Sequence, residues 1–264
     1  MYCERPEWIS PFLTKAEYIL ARNLRGILDD FIKERWSHRF SIDTYEHIAS
    51  YYIDEVPLNG KRLLDIGCGN GLMLSTNCIV AKPKLAVGID NYQGEGSPTS
   101  DYHFAKKVQS RLSLPCLKLL LGDAFKLPFH ENTFDMIYVS HCLHHIYESR
   151  VRLRKAEESA TNSLTALLGD IYTTLADDGV AVVAEVPRYS IQRFGRLFGL
   201  LKDTDFQTKQ EPRDWIYALK KAGFKRFRVK YHTPYPLRRF KKILSNRVGR
   251  YILCGQYYIF AYKG

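Results

Sequence analysis

Short apolar runs alternate with amphipathic stretches through most of the chain. The runs Leu63-Leu64-Asp65-Ile66, Leu85-Ala86-Val87-Gly88-Ile89-Asp90, Cys116-Leu117-Lys118-Leu119-Leu120-Leu121, Phe134 to Ser140 and Val180 to Val186 are four to seven residues long. They predict buried strands, because a strand covered on both faces needs apolar side chains on both. Between them Leu72 to about Val80 and a long stretch from Ser149 through Leu175 read as helices, the latter ending in a turn at Asp177-Asp178-Gly179. Strands alternating with helices predict an α/β fold with a parallel sheet. Before the first strand, Leu13, Ile19, Leu20, Leu24, Ile27, Leu28, Phe31 and Ile32 recur with a helical period after a start signal at Ser10 to Thr14. A second short helix is expected over Thr44 to Tyr52, so residues 1–57 form an N-terminal helical extension, either a packed cover or part of a lid, and 58–264 the main domain. After the helix Asp214 to Phe224, strands are expected up to Tyr231 and from Tyr257 to Tyr262. The connection at 232–255 is an insertion in which Leu237, Phe240, Leu244, Val248 and Tyr251 fall on one face of a single basic helix, 237–252.

The first strand ends in an acid and three alternating glycines, Asp65-Ile66-Gly67-Cys68-Gly69-Asn70-Gly71. Glycines there let the backbone turn sharply and approach a nucleotide-like ligand. A dinucleotide pyrophosphate calls for G-x-G-x-x-G, whereas here position 72 is Leu and Asp65 would repel a phosphate. Asp65 suits an ammonium or sulfonium cation instead. Asp90, 19 residues after Gly71, stands where a carboxylate accepts ribose hydroxyls.

These motifs, with Gly122-Asp123-Ala124-Phe125-Lys126-Leu127-Pro128-Phe129 and the Phe134-Asp135 strand, resemble the class I S-adenosylmethionine-dependent methyltransferases over residues of about 60 to 187. The resemblance implies a doubly wound, seven-stranded Rossmann-like methyltransferase sheet whose last strand is antiparallel. It implies that S-adenosyl-L-methionine is the cofactor, with Asp65, Gly67 and Gly69 at the methionine end, Asp90 at the ribose and Asp123 at the adenine. Cys68, Asn91 and Ala124 lie beside these, and Ser140 and His141 on the methyl side. Tyr92 is the candidate for stacking on the adenine.

His141-Cys142-Leu143-His144-His145 follows the fourth strand, where this fold places its crevice. Neighbours this tight cannot all point at one metal ion, so no metal site is expected. The rings either hold the crevice by hydrogen bonds or supply a general base, for which an unperturbed pKa of ~6.5 is suited. As a base His145 is preferred to His144, because the resemblance places the family's usual histidine there. Arg188, Arg193 and Arg196 either clamp an acidic substrate or are solvated charges.

Composition adds location to this picture. The net charge is +11, and from Lys225 to Gly264 there are eleven Lys and Arg and no acid, while the other 224 residues are balanced at 28 of each sign. An anionic partner is therefore expected at the C-terminal end. The six cysteines form no C-x-x-C pair and read as reduced thiols. No apolar run approaches the roughly 20 residues that cross a bilayer, so the protein is expected to be cytoplasmic, with peripheral membrane contact through 237–252 as an option. No N-P-P-Y-type segment follows the fourth strand, which disfavours amino-group methylation. The expected function is O- or C-methylation of a small or lipid-linked, anionic acceptor. RNA methylation, or a catalytically silent cofactor-binding subunit that docks a partner, are the alternatives.

Overall fold

The computed structural model describes residues 15–93, 97–147, 151–189, 208–253 and 255–264. The start signal at Ser10 to Thr14, Leu13, Arg193, Arg196, Cys3 and Cys254 lie outside the described residues. The order of elements is α1 (Lys15–Trp36), α2 (Ile42–Ile53), β1 (Arg62–Ile66), α3 (Leu72–Ala81), β2 (Leu85–Asp90), α4 (Thr99–Leu112), β3 (Leu117–Leu121), β4 (Phe134–Ser140) and α5 (Leu143–Ile146). After these come α6 (Asn162–Thr174), β5 (Leu175–Glu185), α7 (Pro212–Lys221), β6 (Arg226–Tyr231), α8 (Lys241–Leu244), α9 (Arg247–Leu253) and β7 (Tyr257–Tyr262).

The seven strands lie in the order β3-β2-β1-β4-β5-β7-β6, and β7 runs antiparallel to both of its neighbours. The expected doubly wound sheet with an antiparallel last strand is therefore present. Strand order reverses between β1 and β4, which opens a crevice beyond their carboxyl ends. In β1 Leu63, Leu64, Asp65 and Ile66 are all buried, as a central parallel strand covered on both faces requires. One face is filled by α5, α6 and α7 through Leu143, Leu164, Leu168, Ile171, Trp215 and Leu219. The other receives Tyr51 and Tyr52 of α2 with Leu74 and Cys78 of α3.

The N-terminal extension packs as an outer layer on α3 and α4. In α1, Leu28, Phe31 and Ile32 pack on Leu72 and Ile79 of α3 and on Val108 and Leu112 of α4, outside the layer that touches the sheet. Arg25 pairs with Glu46 at 2.7 Å, and the Asp29 carboxylate accepts the Ile42 N–H, locking α1 to α2. The buried Tyr52 hydroxyl donates to Asn77 of α3 at 2.7 Å.

Two expectations are corrected and one is met. The helix expected from Ser149 begins only at Asn162, after two 3-10 turns at Leu153–Lys155 and Ser159–Thr161. Arg152 and Arg154 converge there on the buried Asp214 carboxylate, which holds the chain off a helical path. The expected turn at Asp177 to Gly179 is present inside β5: Leu175 pairs with Phe134 and Val180 with Met136, so five residues stand against two, and a Cβ on Gly179 would lie 2.8 Å from the Ala176 carbonyl oxygen because the chain folds back there before the strand continues. The single basic helix is three pieces, a 3-10 turn at Tyr235–Phe240, then α8 and α9. Helix α4 and its burial of Ala105, Val108 and Leu112 went unpredicted. No helix of the described residues is long and apolar enough to cross a membrane.

If α1 is a permanent layer, Leu28→Ala removes a fully buried side chain and destabilises the protein by about 2–5 kcal/mol in urea unfolding. A hinged lid predicts a loss of under about 1 kcal/mol, since an open lid leaves Leu28 in water already.

Candidate functional site

Beyond β1 the chain passes through Gly67, Gly69 and Gly71, all with positive φ, at 72°, 49° and 72°. At Gly67 a side chain is also barred sterically, because a Cβ would lie 2.6 Å from Cys142 Sγ. The turn is held from β2. The Asp90 carboxylate accepts the Gly69 N–H at 2.9 Å with one oxygen and the Tyr92 N–H at 2.8 Å with the other. Each oxygen keeps a second lone pair, and Asp90 lines the crevice. Tyr92 donates its hydroxyl to the Gly69 carbonyl at 3.0 Å and is 3% exposed, so it props the turn from below and is not an adenine-stacking side chain.

Asp65 is also buried, and no described side chain or amide donates to it or pairs with it. Burial, and then the Asp90 carboxylate, push its pKa well above the usual carboxylate range. A buried carboxylate without a counter-charge is costly unless a cation completes it. Asp123 accepts the Phe125 N–H at 2.9 Å, which fixes its carboxylate on the crevice wall opposite the glycine turn.

The histidines separate by role. His141 has φ +52° and donates its backbone N–H to the Ala184 carbonyl at 2.9 Å. Its Nε2 lies 2.7 Å from Gln256 Oε1, so the amide carbonyl accepts and Nδ1 keeps the lone pair. Desolvation pulls His141 below the ordinary histidine pKa against the opposing pull of Glu185. His144 is buried, with Nδ1 2.6 Å from a Glu185 carboxylate oxygen. His145 is exposed, its ring 4.2 Å from that of His144.

Two cavities meet here. The larger, about 990 Å³, takes in Gly67, Gly69, Asp90, Asn91, Asp123, Ala124, Ser140, His141, His144 and His145. The second, about 810 Å³, lies under the N-terminal extension, is walled by Trp36, Phe40, Tyr45, Ile48 and Tyr235, and is reached by Asp65 and Cys68. Gly67, Gly69, Ser140, His141 and Val186 border both. Every cofactor-contact and base candidate of the sequence except Tyr92 therefore reaches one cavity or the other. Cys68 does so beside a thiol turned toward Gly88 and the Tyr92 hydroxyl. His144 and His145, the expected bases, border only the larger cavity, whereas His141 borders both.

The sequence reading missed Phe125, Cys142, Val186, Lys209 and Gln256. Phe125 sat inside the Gly122-Asp123-Ala124 motif and was legible. Lys209 and Gln256 lie more than 60 residues beyond the histidine segment that they face across the site, and nothing local to them signals it.

A family described as "Methyltransferase domain" matches residues 64–183. The chain is 34% identical over 106 residues to phthiotriol/phenolphthiotriol dimycocerosates methyltransferase 1 of Mycobacterium ulcerans, covering 38% of this chain and 35% of that protein. It is 27% identical over 167 residues to 27-O-demethylrifamycin SV methyltransferase of Amycolatopsis mediterranei, covering 60% and 59%. The chain thus spans about a third to three fifths of the length of these curated relatives. Among solved structures, a SAM-dependent methyltransferase from Aquifex aeolicus superposes with a TM-score of 0.57 at 14% identity, over 92% of this chain and 98% of that one. Residues 64–183 thus match a methyltransferase domain family, and the glycine turn, the three carboxylates and the sheet order already described are similar to those of the class I S-adenosylmethionine-dependent methyltransferases.

Proposed function

We propose that the protein transfers a methyl group from S-adenosyl-L-methionine to oxygen or carbon of a small or lipid-linked acceptor. The observation that carries this is the junction of the two cavities at Gly67, Ser140 and His141. The cofactor supplies an electrophilic sulfonium methyl when bound. The residues fit it: Asp65 offers an uncompensated carboxylate to the cationic methionine end, and the bare Gly67 backbone allows close approach. The free lone pairs of Asp90 accept ribose hydroxyls, and Asp123 accepts the adenine amino group.

The second cavity then belongs to the acceptor, and its aromatic and aliphatic walls suit an apolar body. Arg39 on the same wall is exposed and has no acidic partner among the described residues, which supports an anionic group on the acceptor. Enclosure between the extension and the sheet aligns the acceptor and excludes water, the main demand when the methyl is already activated. Where the acceptor holds a proton, we assign its removal to His141 rather than to His145, because His141 alone of the three histidines borders both cavities.

Asp65→Asn keeps the shape of the side chain and removes its charge. Cofactor binding ionises Asp65 in the wild type, so affinity for S-adenosylhomocysteine rises with pH through the raised pKa of the free protein and flattens above it. Calorimetry should show the variant at least about tenfold weaker on that plateau and without the slope. An unchanged affinity and slope would place the cationic end elsewhere.

Incubation with S-adenosylmethionine labelled in the methyl group, and with organic, aqueous and RNA fractions of a cell extract, should move label into the organic or small-molecule fraction. Label in RNA transfers the assignment to RNA methylation. With the labelled acceptor, His141→Gln should lower kcat by about 10²–10⁴-fold and leave S-adenosylhomocysteine affinity within about threefold. A kcat unaffected by that change removes His141 from proton transfer.

A further inference from the structure

The segment from Tyr235 to Leu253 is built inside out. Its buried residues are Gly249 and Arg250, while Phe240, Ile243, Val248 and Ile252 are 54%, 70%, 67% and 52% exposed. Such an inversion needs a cause, since isolated apolar exposure is ordinary but a charged side chain turned inward beside it is not.

Polar anchors impose it. The Arg250 guanidinium turns inward to the Glu211 carboxylate at 3.1 Å. At the corner between α8 and α9, Ser245 Oγ lies 2.9 Å from Thr233 Oγ1 and 3.2 Å from the Tyr51 hydroxyl. Asn246 caps α9 by accepting the Val248 and Gly249 N–H groups, each at 2.9 Å. Gly249 is packed so tightly on the Leu244 carbonyl that a Cβ would lie 2.0 Å from its oxygen. With one side of the segment pinned by polar groups, Ile243, Val248 and Ile252 are left to point to solvent, while Leu237, Leu244 and Leu253 are half-buried. Arg239, Lys242 and Arg247 stand among them, exposed and with no acidic partner among the described residues. No acid occurs from Lys225 to the end of the chain.

We infer that this platform docks on an anionic lipid bilayer. Aliphatic side chains enter the boundary between headgroups and acyl chains, and cations among them meet the headgroups. Other occupants use only half of the surface. A nucleic acid is served by the cations and by the exposed Phe240 and Tyr251 rings, but Ile243, Val248 and Ile252 find no apolar partner in it and stay in water. A second copy is served by the apolar side chains but brings a second unpaired set of cations against the first.

The platform adjoins the second cavity. Pro234, Tyr235 and Pro236, at the start of the same segment, form part of that cavity's wall. On the reading of that cavity as the acceptor's, docking lets a lipid acceptor pass from the bilayer to His141 along protein instead of through water.

The test is flotation of the whole protein with extruded vesicles of phosphatidylcholine alone and of phosphatidylcholine with about a third phosphatidylglycerol. The wild type should float with the anionic vesicles and at least about tenfold less with the neutral ones. Ile243→Ser with Val248→Ser should weaken anionic binding by about tenfold or more at unchanged charge. Arg239→Gln with Lys242→Gln and Arg247→Gln should weaken it by about 100-fold, near fivefold for each cation. Both variants change exposed side chains and should bind S-adenosylhomocysteine like the wild type, which reports an intact fold.

Failure to float with cofactor binding intact overturns the proposal, as does a serine variant that floats like the wild type, because attraction is then only that of a basic chain end. A dimer that the serine variant abolishes, with no flotation, overturns it in favour of self-association. Flotation without S-adenosylhomocysteine binding leaves docking standing and removes the cofactor reading instead.

Discussion

The Asp90 carboxylate ties the end of β2 to the turn that leaves β1, and the site depends on that tie. Three consecutive odd-numbered glycines with positive φ make a turn that is permissive but entropically loose. Asp90 removes the looseness by accepting the Gly69 and Tyr92 amides, and Tyr92 then returns its hydroxyl to the Gly69 carbonyl. The turn is thereby shaped before a ligand arrives, so little ordering remains to be done on binding. Burial, and then the nearby Asp90 carboxylate, raise the pKa of Asp65, which makes its ionised form unfavourable without a counter-charge. A cationic ligand relieves that condition, so the electrostatics of the cavity favour the ligand class that the backbone geometry admits.

The second cavity exists because the N-terminal extension does not lie on the sheet. Tyr51 and Tyr52 bring α2 onto the sheet face, while α1 stands one layer further out on α3 and α4. The chain between them, His38 to Ser41, bridges two heights and leaves space under it that Trp36, Phe40 and Tyr235 line. Trp36 is itself held by donating to the Tyr45 hydroxyl at 2.7 Å. The apolar wall is therefore fixed by its own polar edge. Gln256 closes the opposite end by orienting His141, which links the antiparallel β7 to the centre of the site.

Sheet order, glycine turn and carboxylates were legible because each is a local pattern with a local cause. Buried parallel strands must be apolar on both faces, and acids at strand ends are displaced toward the crevice by the same geometry. What was not legible depended on distance. The preference for His145 rests on position in a motif, whereas the rings of His141 and His144 are oriented by Gln256 and Glu185, which lie 115 and 41 residues from the histidines they bind. Tyr92 was misread for the same reason, since only the folded turn shows that its hydroxyl is taken by Gly69.

The misreading of the C-terminal segment has a different physical origin. Helical periodicity assigns faces on the assumption of one unbroken axis, which put Leu237, Phe240, Leu244, Val248 and Tyr251 on one face. The corner at Ser245 and Asn246 resets the phase, and after it the position turned inward is that of Arg250. Choosing which side of an amphipathic segment is buried also assumes that burial is driven by apolar area. Here Glu211, in the capping box of α7, is already buried and pairs with Arg250. Removing one partner of a buried pair costs more than exposing an aliphatic side chain or two, because it leaves a desolvated charge behind. The ion pair therefore outranks the apolar face in orienting the segment, and Val248 and Ile252 are left to a solvent that does not favour them.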